Sequence, residues 1–238
     1  MRIDKLLAHA GYGSRKDVKD LIKKRCVTVD DQVITKSNVH VHPDEQIIAV
    51  NGQEVEYQKY IYIMSHKPKD YVSATTDHFE KTVIDLVPDK YKHYKLFPVG
   101  RLDKDTEGLL LLTNDGQLNH ALTSPKRDVF KTYFAKVNGK VTEEHVQQFA
   151  DGIVLDDGYK TKKAYLEIVK SNSSSEIKLS ISEGKFHQVK RMFRAIGMEV
   201  TYLKRLSIEN LTLDPTLPIG EMRPLHEDEI NYLLSLKK

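Results

Sequence analysis

The sequence predicts an α+β chain in two parts, a small basic unit of two helices on a little sheet ahead of a larger, strand-rich domain. Three observations lead there. Two short helical periodicities open the chain, a polar break follows at residues 54–59, and beyond it apolar residues alternate or run together at strand lengths. The 238 residues suffice for one small and one medium domain. A hydrophobic content of 39% can build a core, and no apolar run approaches the roughly 20 residues needed to span a bilayer. The polar start, Met1-Arg2-Ile3-Asp4-Lys5, lacks the apolar region of a signal peptide, so the expected location is the cytoplasm.

In the first part, Ile3, Leu6, Leu7 and Ala10 fall at helical spacing until Gly11-Tyr12-Gly13 stops them. Ser14 is a good N-cap for a second helix, Arg15 to Lys24, with Val18, Leu21 and Ile22 facing inward. Strand-like pieces follow about Asp30-Asp31, at Val39 to Val41 and at Gln46 to Val50, ending on the Asn51-Gly52 turn. The single cysteine, Cys26, excludes an internal disulfide and a multi-cysteine zinc site, and reads as a small buried strand residue. The net charge of +3 is modest, but residues 1–25 carry eight basic residues against three acidic ones. A basic end on a near-neutral body suggests a nucleic-acid contact, with a solvated helix face as the plain alternative.

From Tyr60 the composition becomes strand-rich and aromatic. Tyr60 to Met64 is a strand, and Pro68 must end its pairing. Thr82 to Leu86 reads as a short helix and Phe97 to Val99 as a short strand. Leu109 to Leu112, bounded by Gly108 and the Asn114-Asp115-Gly116 turn, suits a strand covered on both faces. Asp115 should cap a helix over Gln117 to Leu122. Lys131 to Val137 alternates as a strand does, and Thr142 to Ala150 is a capped helix. Ala164 to Val169 and Ile177 to Ile181 are strands about a polar hairpin loop at Ser171 to Ser175. A closing strand pair and a helix over Asp228 to Leu236 complete the chain.

Two stretches carry chemistry. In the first, Arg101, Asp103, Lys104, Asp105 and Glu107 crowd charge into the loop ahead of the leucine run, a rigid strand presenting a polar loop. From composition alone, Asp103 and Asp105 are equally well turn residues. In the second, Val189, Met192, Phe193 and Ile196 mark an apolar helix face, while Lys185, His187, Lys190, Arg191 and Arg194 bring cations to its start and other face. A helix dipole disfavours positive charge in the first turn, so an anionic partner is expected there, a phosphate or a carboxylate of the chain. There is no internal repeat, Walker-type phosphate loop, paired metal-spaced histidines or Gly-x-Ser-x-Gly elbow.

The first part resembles the alpha-L RNA-binding domain first recognised in a ribosomal small-subunit protein. The matching residues are Arg2-Ile-Asp-Lys-Leu-Leu-Ala, Gly13-Ser14-Arg15, Leu21-Ile22-Lys23, Val27-Thr-Val and residues 44–50. The resemblance implies that Arg2, Lys5, Arg15, Lys16 and Lys19 face RNA. Arg25 stands where that family usually has glycine, and Asp30-Asp31 replaces its Asn-Gly turn.

The motifs Gly100-Arg-Leu-Asp-x-x-Thr-x-Gly-Leu-Leu-Leu-x-Thr-Asn-Asp-Gly, Lys131-x-Tyr and Glu183-Gly-Lys-x-His-Gln-Val-Lys-Arg-Met together resemble the ribosomal pseudouridine synthases of the small-subunit synthase A branch. The likeness covers effectively the whole chain. It implies an RNA-binding domain over residues 1–57 and a catalytic domain over 58–238 built on a mixed, mainly antiparallel sheet. It assigns Asp103 as the catalytic aspartate, Tyr133 as the aromatic residue against the target base and Lys190 as the cation paired with the aspartate. Arg101, Lys185, His187 and Arg191 become RNA-contact candidates. Asp70 departs from the glycine common in the family.

The expected activity is isomerisation of one uridine in ribosomal RNA, foremost the small-subunit 16S RNA, to pseudouridine. That reaction breaks the N1–C1′ bond, turns the uracil and joins C5 to the same sugar carbon. It needs an ionised carboxylate at the sugar, as nucleophile or as base at the adjacent carbon, and a uridine drawn out of its stack. No redox step or group donor is involved, so neither cofactor nor metal is expected. The expected partner is ribosomal RNA or a subunit assembly intermediate, bound by a monomer away from membranes. The alternatives are a large-subunit synthase of the same family, a non-catalytic assembly factor, and a two-carboxylate hydrolase on Asp103 with Asp105 or Glu107. The absence of tryptophan and the sparse aromatics weigh against the hydrolase.

Overall fold

The structure, a computed structural model, describes residues 1–237 and divides into two compact units. The first is Met1–Ile61 together with Pro88–Lys95, and the second is Tyr62–Val87 together with Leu96 onward.

In the first unit, α1 (Ile3–His9) and α2 (Arg15–Lys23) pack on a four-stranded antiparallel sheet of β1 (Val27–Val29), β2 (Gln32–Val33), β3 (Ile48–Val50) and β4 (Gln53–Glu54), in the order β2-β1-β3-β4. Ile3, Leu6, Leu7 and Val18 are fully buried against Val27 and Ile48. Ser14 caps α2 reciprocally: Asp17 N donates to its hydroxyl at 3.3 Å, and Ser14 N donates to the Asp17 carboxylate at 2.7 Å. Arg25, Asp30 and Asp31 all sit in the left-handed region, with φ of 58, 49 and 63°. These positions hold side chains in a conformation that carries a cost for any residue but glycine.

Three details differ from the expectation. Residues 39–41 form no strand, because this segment pairs with the chain start: Ile3 N donates to Val39 O and Val41 N to Met1 O. Cys26 lies just ahead of β1 and is only half-buried. The division falls after Ile61 rather than after residue 57, and Pro88–Lys95 with its short helix α3 (Asp89–Lys92) groups with the first unit. Packing ties this segment in, since Tyr94 meets His9 edge-on at 5.4 Å and His93 covers Gly11.

The second unit is a nine-stranded mixed sheet. Its elements are β5 (Tyr62–Lys67), β6 (Phe97–Pro98), β7 (Glu107–Thr113), α4 (Gly116–Thr123), β8 (Lys131–Asn138), α5 (Glu143–Asp151), β9 (Tyr165–Lys170), β10 (Ser174–Ile181), α6 (Gln188–Ala195), β11 (Glu199–Ile208), β12 (Leu211–Thr212), β13 (Met222–Pro224) and α7 (Glu227–Ser235). The main order is β13-β5-β7-β11-β8-β10-β9, with β6 on β7 and β12 on β11. All pairings are antiparallel except that of β7 with β11. Thr82 opens a 3₁₀ turn at Val83–Leu86.

Leu109 to Leu112 are wholly buried at the sheet centre, as their unbroken apolar run requires. Gly108 lets the parallel pair form. Its φ is +109°, and a Cβ there would lie 2.2 Å from the carbonyl oxygen of Arg205. Asp115 caps α4, accepting from Gln117 N and Leu118 N at 3.1 and 3.2 Å. On one sheet face, Phe149 of α5 and Phe193 of α6 meet at 4.9 Å over Ala135, Ile177 and Leu179.

Candidate active site

Asp103 stands in the loop between β6 and β7, and that loop is tied down on both sides. Leu102 exchanges two hydrogen bonds with Ser73, its N–H donating to the hydroxyl at 3.0 Å and its carbonyl accepting at 2.9 Å. Thr106 N donates to Asp103 O at 3.0 Å. The strongest tie comes from the end of β5, where Lys67 is completely buried and donates to the carbonyls of Pro68, Lys104 and Thr106 at 2.9, 3.2 and 2.9 Å. Burial pulls the Lys67 pKa down to about 8, against the carboxylates of Asp105 and Asp103 that pull it up. Sequence reasoning marks only Pro68 here, as the residue that ends the pairing of the strand. A lysine at the very end of a buried strand, directly before proline, is the signal that could have found Lys67.

Lys190 comes from the first turn of α6. Its Nζ donates to Asp103 Oδ2 at 3.1 Å and to Asp105 Oδ1 at 2.6 Å. Burial alone would lower the Lys190 pKa, but the hydrogen bonds to Asp105 and Asp103 outweigh it and hold the ammonium above its ordinary value. Burial likewise raises Asp105, and the bond from Lys190 more than reverses this. The first-turn cation thus has its anions within the chain, as the dipole argument requires of at least one partner. Asp105, read above as a turn residue, is the closer of the two. Glu107 accepts from the Tyr202 hydroxyl at 2.7 Å and is held away from the pair.

His187 Nε2 lies 3.8 Å from Asp103 Oδ1. His187 caps α6 in the left-handed conformation, φ 48°. The helix therefore starts at Gln188, and the residues from Glu183 onward form its approach. Glu183 anchors that approach, accepting from the Tyr159 hydroxyl at 2.7 Å, from Lys162 N at 2.9 Å and from Gln188 Nε2 at 2.7 Å. This buried carboxylate is structural, and its role depends on partners remote in sequence.

Asp103, Tyr133, Arg101, Lys185 and His187 all line one pocket of about 410 Å³. Lys190 reaches it through Asp103. Arg191 takes no part, because its guanidinium bridges Asp156 and Asp157 beside a different hollow. In the first unit, Lys5, Arg15, Lys16 and Lys19 are exposed, whereas Arg2 forks onto buried Asp4 with bonds of 3.0 and 2.7 Å. Among the described residues, no group of three or more His, Cys, Asp or Glu is placed to hold a metal ion. None of the described helices is long and apolar enough to cross a membrane.

A basic helical unit followed by a mixed sheet that presents a carboxylate and lysine at a pocket is the build of an RNA-modifying enzyme. Residues 61–195 match the RNA pseudouridylate synthase family and residues 1–47 match the S4 domain. The chain is 48% identical over 98% of both sequences to an uncharacterized RNA pseudouridine synthase of Bacillus subtilis. It is 41% identical to ribosomal small subunit pseudouridine synthase A of Vibrio cholerae, over 97% of this chain and 98% of that one. It is also 40% identical to ribosomal large subunit pseudouridine synthase B of Bacillus subtilis, over 99% and 96%. A crystal structure of a pseudouridylate synthase superposes with a TM-score of 0.69 at 34% identity, covering 98% of this chain and 99% of that one. The chain belongs to the RNA pseudouridylate synthase family.

Proposed function

We propose that this enzyme converts one uridine of ribosomal RNA to pseudouridine, with Asp103 as the reacting carboxylate. The observation that carries the reading is the Asp103–Lys190 contact of 3.1 Å at a pocket also lined by Tyr133. Asp103 acts at the sugar, as nucleophile at C1′ or as base at C2′, while the N1–C1′ bond breaks. The uracil turns within the pocket and C5 bonds to C1′, displacing the Asp103 ester in the first case or followed by return of the C2′ proton in the second, and the proton displaced from C5 leaves as N1 gains one. Lys190, held beside the carboxylate, stabilises negative charge as it moves. Tyr133 supplies a flat face for the base and a hydroxyl close to where the C5 proton departs. Arg101, exposed at the rim, takes the space that the flipped base vacates or holds its phosphate.

The target under this reading is small-subunit 16S RNA, supported by the match to the Vibrio cholerae small-subunit enzyme across nearly all of both chains. The near-equal match to the large-subunit enzyme of Bacillus subtilis favours 23S RNA as the second reading. Lys5, Arg15, Lys16 and Lys19 present the basic face that docks the RNA, and Lys185 and His187 contact it at the pocket. Ribosomal RNA as substrate supports a cytoplasmic location.

The test uses 16S and 23S transcripts labelled with tritium at uracil C5. Purified protein should release label from one of them, and Asp103→Asn should abolish release while RNA affinity stays nearly intact. Absence of release from both transcripts and from assembly intermediates, under binding conditions, would sink the assignment. Mapping pseudouridines in RNA from a deletion strain then identifies the position.

A further inference from the structure

Beside the Asp103 pocket, and sharing Arg101, Tyr133, Gly184 and Lys185 with it, lies a cleft of about 1140 Å³. Its lining includes Lys131 of β8 and Arg205 of β11. Lys131 and Tyr133 are two residues apart on one strand, and Arg205 is paired directly with Tyr133 on the next, so all three project from the same face.

Arg205 is only 3% exposed, an unusual position for a permanently charged guanidinium. Its Nε donates to Leu109 O at 2.8 Å, but Nη2 is buried without a hydrogen-bond partner among the described residues. Lys131 donates to Val129 O at 2.7 Å. Neither cation forms an ion pair among the described residues, and each raises the cost of the other.

The carboxylates around them are committed elsewhere. Asp128 pairs with Lys162 at 2.7 Å. Glu183 serves Tyr159, Lys162 N and Gln188, and Glu209 accepts from Phe130 N. A buried guanidinium with an unpartnered Nη2, beside a half-buried ammonium opposed only by the charge of Glu209, is costly to maintain unless an anion arrives. A phosphate oxygen is the acceptor a guanidinium edge and an ammonium share best. Burial, followed by the charge of Arg205, pulls the Lys131 pKa down to about 8 against the opposing pull of Glu209.

We propose that Arg205 and Lys131 form a phosphate subsite that grips an RNA backbone phosphodiester next to the target nucleotide, in the cleft that shares Tyr133 with the Asp103 pocket. The inference rests on the reading of Asp103 as the reacting centre only for which phosphate is held. Gly108 is part of the arrangement, since its lack of a side chain lets the backbone of Arg205 approach β7 closely enough for Nε to reach Leu109 O.

The experiment compares full-length wild type, Lys131→Met, Arg205→Lys and Asp103→Asn. Binding to the 16S and 23S transcripts is measured over a salt series, with thermal melts to establish that each variant is folded. Lys131→Met should lower the slope of log Kd against log salt by about 0.7 to 0.9, the loss of one phosphate contact. Its affinity at low salt should fall about tenfold, in line with one charged hydrogen bond. Arg205→Lys should keep the slope but lose affinity, because it keeps the charge and not the fork. In label release, both variants should raise KM more than they lower kcat. A folded Lys131→Met with wild-type slope and affinity overturns the subsite, as does a loss confined to kcat. Label release by the wild type beside an unchanged Lys131→Met slope removes the subsite alone. Absence of release beside a reduced slope leaves the subsite standing and removes the assignment of the reaction.

Discussion

Lys190 lies closer to Asp105 than to Asp103, 2.6 Å against 3.1 Å, so one ammonium serves two carboxylates with different surroundings. The Asp105 side chain is 66% exposed and that of Asp103 is 26% exposed. An exposed partner contributes little, typically below about 1 kcal/mol. Asp105→Asn should therefore leave Lys190 on Asp103 and change kcat by no more than about threefold. Lys190→Met removes the cation from both and should lower kcat by roughly a hundredfold or more, with RNA affinity within a few fold. Single-turnover label release measures both. Equal losses for Asp105→Asn and Asp103→Asn would mean that the two carboxylates act as a pair.

Lys67 fixes the loop that carries Asp103 by satisfying three carbonyls at once. Methionine fills a similar volume but donates nothing, leaving the Pro68 and Thr106 carbonyls short of a donor, while that of Lys104 keeps Asp70 N at 2.9 Å. Lys67→Met should cost about 2 kcal/mol or more, at about 1 to 3 kcal/mol per buried unsatisfied group. Because Thr106 and Lys104 flank the active loop, kcat should fall further than the fraction of unfolded protein explains. A melting temperature equal to that of wild type would show that water replaces the ammonium and that the tie is dispensable.

Local features were legible from sequence, and the reason is visible in which residues succeeded. Ser14 and Asp115 cap helices through bonds within three residues, and Leu109 to Leu112 announce double-sided burial by an unbroken apolar run. The pairing of Asp103 with Lys190 spans 87 positions and was reachable only through resemblance to a family. Features made by tertiary contact without local pattern were not legible. The Lys67 clamp, the closer contact of Asp105, the Glu183 network and the return of Pro88–Lys95 to the first unit are of this kind. The ion pairs of Arg191 are of the same kind: helical spacing places it among the cations of α6, but only the fold brings Asp156 and Asp157 to it.

Two sets of backbone positions should respond oppositely to substitution. Arg25 and Asp70 hold φ of 58 and 66°, so Arg25→Gly and Asp70→Gly relieve strain and should each stabilise by roughly 0.5 to 1 kcal/mol. Gly108→Ala drives a methyl into the Arg205 backbone at an already positive φ, and should cost roughly 3 kcal/mol or more. Denaturant midpoints at constant m-value decide the signs. Destabilisation by Asp70→Gly would mean that its side chain contributes more to the turn than its conformation costs.

The acid limb of stability should depend on the contacts that join the segment after β12 to β13 and α7. Asp214 accepts from Thr216 N and Oγ1 at 2.9 and 2.6 Å and from Arg223 Nε at 2.8 Å. Arg223 also forks onto Glu229 with two bonds of 2.8 Å. The Thr216 hydrogen bonds, followed by Arg223, pull the Asp214 pKa from its ordinary 3.8 to about 2. A depressed carboxylate favours the folded state above its unfolded value, and this stabilisation disappears as pH falls from about 4 to about 2. The difference in unfolding free energy between wild type and Asp214→Asn should therefore be constant from neutral pH to about pH 5, then shrink through that window. Denaturant titrations at successive pH values give the difference curve. A difference that persists unchanged to pH 2 would assign the effect to packing or neutral hydrogen bonds rather than to the carboxylate charge.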